Sequence, residues 1–542
     1  MWLRLLLQLI DPPGGRSVSF ALNGTEVSVP DDGSSLLDTL REHLNCRSVK
    51  DGCSPQGQCG CCTVWVDDAP RVSCVTATRR VVGRRVTTLE GLTDELRRRW
   101  TDAFVQTGAS QCGFCTPGIV MRLASLEHRR GGADDAAVRT ALAAHLCRCT
   151  GWQSIVEAAR LALSPAPPPP AGRAPVLAAW RAQVEGPAFQ SSGAEIVQGG
   201  GGFADDTAPH DALVVLAPGE GAAEPVATLA EARRRAGSVP GRNSTVALSH
   251  PVAVPEGDWA LTLRTTWVEP AYLEPDASWC APGGVPATPL ANGGAFGGKR
   301  RSPVASLARR LADDQGRPVR VLWSRETVVR YGPKRPPVAI GVRADGSGVM
   351  RVARPSGSAD LTPLRRAVAA QLPDLSLEEV VVAGPPVAPE IRGAGWAEAA
   401  VVRAVLPWCR AGVTGPGHRV EVRRPGAGRA VVALDAAGEV HVEVWAGEVL
   451  DEVTLRSYCL GAVHQGLSWV RREGIALDES GAVQDLTIRS FGILSARDTP
   501  EVHITIHASD GWPVNGSDAV FAAAAAAAWL ADGLAPEWPT RR

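Results

Sequence analysis

A chain of 542 residues has room for three or four domains, and its 56 Lys+Arg against 57 Asp+Glu leave a formal net charge of −1. That balance excludes a broadly basic nucleic-acid surface. No apolar run suits a membrane span. "MWLRLLLQLI" is short, is broken by Arg4, and is followed by "DPPGG" where a cleavage site would stand; "VFAAAAAAAWLA" is too short for a bilayer. The expectation is a soluble, cytoplasmic protein with neither nucleic-acid nor membrane partners. Its first ten residues read as an extra strand or a mis-assigned start. Lysine occurs only at Lys50, Lys299 and Lys334, so the arginine excess reads as coding bias.

Residues 17–90 read as strands around one helix. "SVSFAL", the Asn23-Gly24 turn and "EVSVP" make a hairpin. "SSLLDTLREHL" follows as a helix capped by Ser34 or Ser35, and "CTVWVDD", "RVSCVTA" and "RVTTLE" are further short strands. From about 93 to 163 the apolar period becomes helical, in "DELRRRWTDAFVQTG", "PGIVMRLASLEH", "DAAVRTALAAHL" and "QSIVEAARLAL". "SPAPPPPAGRAP" (164–175) is a stiff linker, able to span about 37 Å at about 3.1 Å per residue. A mixed α/β region without a solenoid repeat continues from there. Its apolar helix at 520–531 takes Ser517 or Asp518 as N-cap, with Gly533 just past the end.

Thirteen cysteines are present, ten of them in the first 150 residues. In a reducing compartment, clustered thiols mean metal or redox chemistry rather than disulfides. "DGCSPQGQCGCC" holds Cys53, Cys59 and Cys62, and Cys74 follows a strand: C-x5-C-x2-C-x11-C. Gly52, Gly57 and Gly60 let the loop turn tightly and aim its N–H groups inward. This favours an iron–sulfur core over zinc, which usually takes two C-x2-C knuckles well apart. Cys61 is a spare thiol beside these ligands. A second set comprises Cys112 and Cys115 in "QCGFCTPGIV" and Cys147 and Cys149 in "LCRCTGWQSIV". Each pair is followed by a threonine and a helix, so Thr116 and Thr150 are expected as N-caps. The positive helix ends would favour an anionic cluster.

At "KDGCSPQGQCGCCTVWVDD", "GASQCGFCTPGIVM" and "LCRCTGW" the chain resembles the xanthine dehydrogenase and aldehyde oxidase family, the molybdenum hydroxylases. The resemblance implies an α+β multidomain fold. Residues 1–90 would form a β-grasp [2Fe–2S] ferredoxin domain and 91–163 a four-helix bundle holding a second [2Fe–2S] cluster. A Pro-rich linker (164–176) would lead to a shortened α/β molybdopterin-binding-like domain (177–542). In that family the second cluster lies nearest the molybdopterin, with Gln111 and Cys149 beside it, and the first passes electrons outward, usually to FAD. "GGGGFADDTAP", "WVEPAYLEPDASW", "GGAFGGK", "WSRETVVRYGPKR", "IRGAGWAEA", "GAVHQGLSW" and "PVNGSDAVFAA" continue the match more weakly. By resemblance, Phe296 and Gly297 face the metal and Arg392 lies near the substrate.

The departures from the family pattern are equally specific. No FAD domain intervenes, so the acceptor would be a separate FAD-binding subunit or a soluble protein, with an intact molybdenum subunit as a further partner. The segment between Trp279 and Gly293 is short, and no "GGxExGQG"-type pterin loop lies between Arg392 and His441. "DGWPVNG" puts Trp512 where the family has its catalytic Glu, and indole cannot accept a proton. Its bulk is expected to fill the substrate space. Asp510 or Asp518 is the rival base. The missing loops and Trp512 weigh against bound molybdopterin; "GGAFGGK" and Arg392 weigh for it. His503 and His507 in "HITIH" share a strand face, with no carboxylate in register to favour a metal. Two readings follow. One is an iron–sulfur oxidoreductase carrying electrons from a molybdenum hydroxylase-type site to an external acceptor. The other is a non-catalytic electron-transfer or assembly subunit with a vestigial molybdenum domain.

Overall fold

The computed structural model describes residues 16–127, 134–165, 173–186, 190–219, 223–237, 246–290, 294–424 and 426–541. The first ten residues, most of the Pro-rich stretch and Gly293, with the expectations placed on them, lie outside these. Strands β1 (Ser17–Leu22) and β2 (Thr25–Pro30) form the expected hairpin, with Asn23 (φ 50°) and Gly24 (φ 81°) in the left-handed region its turn requires. Ser35 caps helix α1 (Leu36–Asp38), which widens into a π turn over Thr39–His43. Strands β3 (Thr63–Val66), β4 (Ala69–Val72) and β5 (Arg85–Thr87) complete a sheet of order β2-β1-β5-β3-β4, in which β1 and β5 are parallel. Cys74 sits on a 3-10 turn just beyond β4, so only the start of "RVSCVTA" is strand.

Helices α2 (Asp94–Thr107), α3 (Thr116–Ala124), α4 (Asp135–Ala141) and α5 (Gln153–Leu163) follow where the period predicts them. Thr116 and Thr150 do not cap α3 and α5. Cys115 and Trp152 flank those helices without side-chain caps, because the cysteine loops run directly into the helix ends. Thr116 instead pairs its hydroxyl with that of Ser110 (2.9 Å), and the Thr150 hydroxyl lies 3.2 Å from the Cys147 sulfur.

Helix α6 (Pro175–Glu185) leads into short helices α7 (Ala194–Val197) and α8 (Ala204–Thr207). Next come β6 (Leu213–Leu216), α9 (Leu229–Ala236), β7 (Leu261–Thr265), β8 (Ala277–Cys280), α10 (Val304–Gln315), β9 (Val319–Leu322) and α11 (Arg325–Tyr331). The chain continues through β10 (Val338–Val342), β11 (Gly348–Arg354), α12 (Thr362–Gln371), β12 (Leu375–Val381) and α13 (Trp396–Arg410). It ends with β13 (Val420–Arg423), β14 (Arg429–Leu434), β15 (Val440–Trp445), α14 (Glu452–Arg471), β16 (Val502–His507), α15 (Ser517–Ala531) and β17 (Glu537–Trp538). Three sheets result, ordered β6-β9-β8, β12-β11-β10-β7-β17 and β13-β14-β15-β16.

Helix α15 is apolar on every face and is accordingly interior, packed by α13, α14 and β14. Ser517 and Asp518 are its first helical residues, not its cap. The Asn515 side chain accepts from the Asp518 N–H (2.9 Å), and Glu185 of α6 accepts from those of Gly516 (3.1 Å) and Ser517 (2.8 Å). Gly533 (φ 79°) follows its end as expected. No helix among the described residues is long and apolar enough to cross a membrane.

Buried charge joins the first sheet to the rest of the chain. Lys50, fully buried, pairs with Asp206 of α8 and donates to the Gly199 carbonyl (2.8 Å). Arg41 reaches Asp205 (2.6 Å) and Asp206 (2.9 Å), and Arg320 reaches Glu42 (3.1 Å). Burial works against the Arg41 charge, but Asp205 and Asp206 outweigh it and hold the guanidinium above its ordinary range. The other two lysines are also buried and paired, Lys299 with Glu274 (2.6 Å) and Lys334 with Glu269 (2.9 Å). Removing one partner of such a pair strands a charge in a medium that cannot solvate it, at about 3–5 kcal/mol. Asp206→Ala should therefore lower stability by about that much in a urea titration. Glu378→Ala, which removes an exposed pair with Arg351, should cost about 0–1 kcal/mol.

Candidate functional site

The loop from Asp51 to Cys62 and the turn after β4 bring Cys53, Cys59, Cys62 and Cys74 together, all buried. The thiol of Cys53 accepts from Cys59 and Cys74, which holds it well below the usual thiol range. Cys74 also contacts Cys62. Backbone N–H groups of Gln56 and Gln58 point at the Cys53 sulfur from 3.1 and 3.5 Å. Four converging buried thiols, one of them receiving two backbone N–H groups, suit an anionic metal–sulfur core rather than a core of packed side chains. Cys61 is close by: its thiol meets that of Cys59 and is under the influence of both Cys53 and Cys112.

The second set forms where α3 and α5 begin. Cys112 and Cys149 have their sulfurs 3.7 Å apart, and Cys115 pairs with Cys147, whose thiol is brought down to about 6 chiefly by the hydrogen bond from Cys115. These four are also buried. The two sets share a wall. Gly118 of α3 packs on the first loop so tightly that a methyl group there would overlap the Gly60 carbonyl and lie 2.8 Å from the carbonyl carbon of Cys61.

Beside the second set is a cavity of about 510 Å³, lined among others by Gln111, Phe296, Gly297, Arg392, Tyr458 and Asp518. Four of the residues expected at a cofactor, Gln111, Phe296, Gly297 and Arg392, thus converge. Gln111 donates to the carbonyls of Cys149 (3.0 Å) and Ser457 (3.1 Å), tying the last cysteine to α14. Gly294 (φ 81°) presses the 294–297 segment against the second set, where a methyl group would lie 3.1 Å from the Cys112 sulfur. Gly297 is required by the chain itself, since a side chain there would run into the Glu390 carbonyl. Arg392 lies over the rings of Phe296 (5.5 Å) and Phe521 (5.2 Å) and donates to Gln465 (3.0 Å), Ser517 (3.1 Å) and Asp518 (3.3 Å). Burial lowers its affinity for the proton and Asp518 partly restores it.

Trp512 is not in this cavity. It is 84% exposed on the loop before α15, so its ring fills no substrate space. Asp510 is also exposed, outside the lining. The carboxylates that do line the cavity are engaged. Asp518 is paired with Arg392 and Arg424, Glu390 with Arg301 (2.7 Å), and Glu185 with Arg181 while it caps α15. Glu185 escaped the sequence reading because the helix start it caps lies more than three hundred residues away; only its pair with Arg181 is local. The expectation for His503 and His507 also needs correction. Glu439 and Glu443 of the neighbouring segment stand 2.9 and 3.1 Å from their imidazoles.

The family of [2Fe-2S] binding domains matches residues 88–160. The nicotinate dehydrogenase small FeS subunit of Eubacterium barkeri is 35% identical over 149 residues, 27% of this chain and 94% of that protein. The xanthine dehydrogenase iron-sulfur-binding subunit of Escherichia coli O157:H7 is 39% identical over 128 residues, 23% of this chain and 79% of that protein. In fold, the aldehyde oxidoreductase from Desulfovibrio desulfuricans ATCC 27774 superposes with a TM-score of 0.69 at 15% identity, covering 97% of this chain and 99% of that one. A buried set of four thiols within the matched residues, and a small FeS subunit 35% identical over 94% of its own length, place the chain in the molybdenum hydroxylase family of oxidoreductases, as a protein with a [2Fe–2S]-binding domain.

Proposed function

We propose that this chain carries electrons from its central cavity to an external acceptor through two [2Fe–2S] clusters. Cys53, Cys59, Cys62 and Cys74 would hold the outer cluster, in a β-grasp domain ending near residue 90. Cys112, Cys115, Cys147 and Cys149 would hold the inner one, in the helical domain to residue 163. When bound, each cluster supplies one-electron storage. The observation that carries the reading is the order of contacts. The cavity touches Cys112 through Gly294, and the second set's helix α3 touches the first loop through Gly118. Packed atoms therefore run unbroken from cavity to outer loop.

The region from about residue 177 onward would supply the molybdopterin-binding-like part. Gln111, Arg392 and the backbone at Phe296–Gly297 would hold a pterin cofactor there, and its chemistry would be two-electron oxidation of a substrate. Yet each lining carboxylate, Glu185, Glu390 and Asp518, is already tied to an arginine, and among the described residues no free acid lines the cavity as a base. Hydroxylation by the isolated chain should accordingly be slow.

Electrons would leave beside the first loop. Val75, next to Cys74, is 61% exposed, and Arg71, Arg79 and Arg80 on the same stretch are exposed too. An apolar centre with a basic rim fits an acidic redox protein or a separate FAD subunit.

Two measurements test these statements. Purified protein should contain about four iron atoms per chain and give two rhombic EPR signals on reduction. Cys147→Ser should remove one signal and keep the other; stoichiometric zinc without an EPR signal would overturn the reading. Reduction of an acidic acceptor such as a flavodoxin should slow as salt rises. Arg79→Glu with Arg80→Glu should raise its KM about tenfold or more while leaving the reduction of a small neutral dye unchanged.

A further inference from the structure

A cation without an anion stands behind the first cysteine loop. Arg325, the first residue of α11, is completely buried. Its Nη2 donates to the carbonyls of Gly52 and Leu273, at 2.7 Å each, while Nε and Nη1 are buried with no hydrogen-bond partner. Among the described residues Arg325 forms no ion pair. Lys50, Arg148, Arg181, Lys299, Lys334 and Arg335, buried like it, each hold a carboxylate. Two acids come near without pairing. Glu326, the next residue, accepts from Gln56 (2.7 Å) and lines a cavity of about 760 Å³, with room for water to screen it. Asp276 takes the hydroxyl of Tyr272 (2.7 Å), and Arg325 lies over that ring at 5.8 Å.

The carbonyl that Arg325 holds belongs to a residue wedged among thiols. A methyl group on Gly52 would lie 3.0 Å from the Cys59 sulfur and 3.1 Å from that of Cys61, and Cys53 is the next residue in the chain. A buried charge persists where an opposite charge compensates it. Thiolates around a [2Fe–2S] core would supply that charge, since the core is anionic and gains a further negative charge on reduction. In a dry surround the attraction is only weakly screened. The second set lacks the device: Arg148 lies between Cys147 and Cys149, but Glu473 neutralises it (2.8 Å).

We propose that Arg325 is the counter-charge of the first cluster and raises its reduction potential above what the thiol set alone would give. The inference rests on the assignment of a [2Fe–2S] cluster to Cys53, Cys59, Cys62 and Cys74 proposed above, and adds a direction to it. An unpaired positive charge beside the outer set, and a neutralised one beside the inner set, favour electrons collecting at the outer cluster before they leave.

The test is an EPR-monitored redox titration of the full chain with its clusters loaded, in the wild type, Arg325→Gln and Arg325→Lys. The signal missing from Cys147→Ser marks the second set, which identifies the other as the first. Arg325→Gln should make the first cluster at least tenfold harder to reduce, about 59 mV for one electron, and leave the second unmoved. Arg325→Lys keeps the charge but not the planar fork, and should hold most of the wild-type potential. Loss of the first signal and half the iron in Arg325→Gln, with Arg325→Lys fully loaded, would support the same role. A first cluster unshifted or easier to reduce in Arg325→Gln, equal shifts of both clusters, or Arg325→Lys behaving as Arg325→Gln would reduce Arg325 to a brace and overturn the proposal. A wild type without iron would overturn the cluster assignment itself, and the proposal with it.

Discussion

Burial of paired charge is the constraint on which the arrangement of this protein depends. Lys50 stands three residues before Cys53, is fully buried, and is held by the Gly199 carbonyl and Asp206. A buried ammonium tolerates only one geometry, because any displacement leaves it without its carboxylate. Arg41, Arg320 and their acids repeat the device nearby, and Arg148, between Cys147 and Cys149, repeats it against Glu473 (2.8 Å). Such pairs fix position more than they add stability. Here they fix both cysteine loops against the region that forms the cavity.

From that fixation the order of contacts follows. The first loop cannot lift from α3, since Gly118 is already in contact with its backbone, and the 294–297 segment cannot retreat from Cys112. Glycine is used at these two places because the chains approach within the space a side chain would need. Arg325 adds a third tie: fully buried on α11, it donates to the carbonyls of Gly52 and Leu273 (2.7 Å each) and so braces the first loop from behind.

What could be read from the sequence was what is encoded locally. The two thiol sets, the hairpin at Asn23-Gly24 and the four helices to residue 163 depend on spacing and period within a few tens of residues, and they are found where the pattern puts them. The helix caps were misread because the cysteine loops, rather than threonine hydroxyls, meet the starts of α3 and α5. Glu185 on the end of α15, and Glu439 beside His503, were illegible for a simpler reason. Each depends on strands or helices that meet only in the folded chain. The lysines were legible in part: three among so many arginines is a composition fact, but the buried carboxylate partner of each is visible only in three dimensions.

Trp512 shows how a single misplaced side chain alters a chemical argument. On sequence it stood for a blocked site; in the fold it faces solvent, and the cavity beside Arg392 is open. What constrains the acids of the cavity is therefore not bulk but charge pairing. A base needs an unengaged oxygen aimed at its substrate, whereas Asp518 is clamped between Arg392 and Arg424 and both oxygens of Glu185 accept backbone N–H groups at the start of α15. Releasing either acid would cost the helix its cap or Arg392 its anchor. The same arginines that keep the cavity ordered thus occupy its acids, while the thiol sets and the packing between them make no demand on those acids at all.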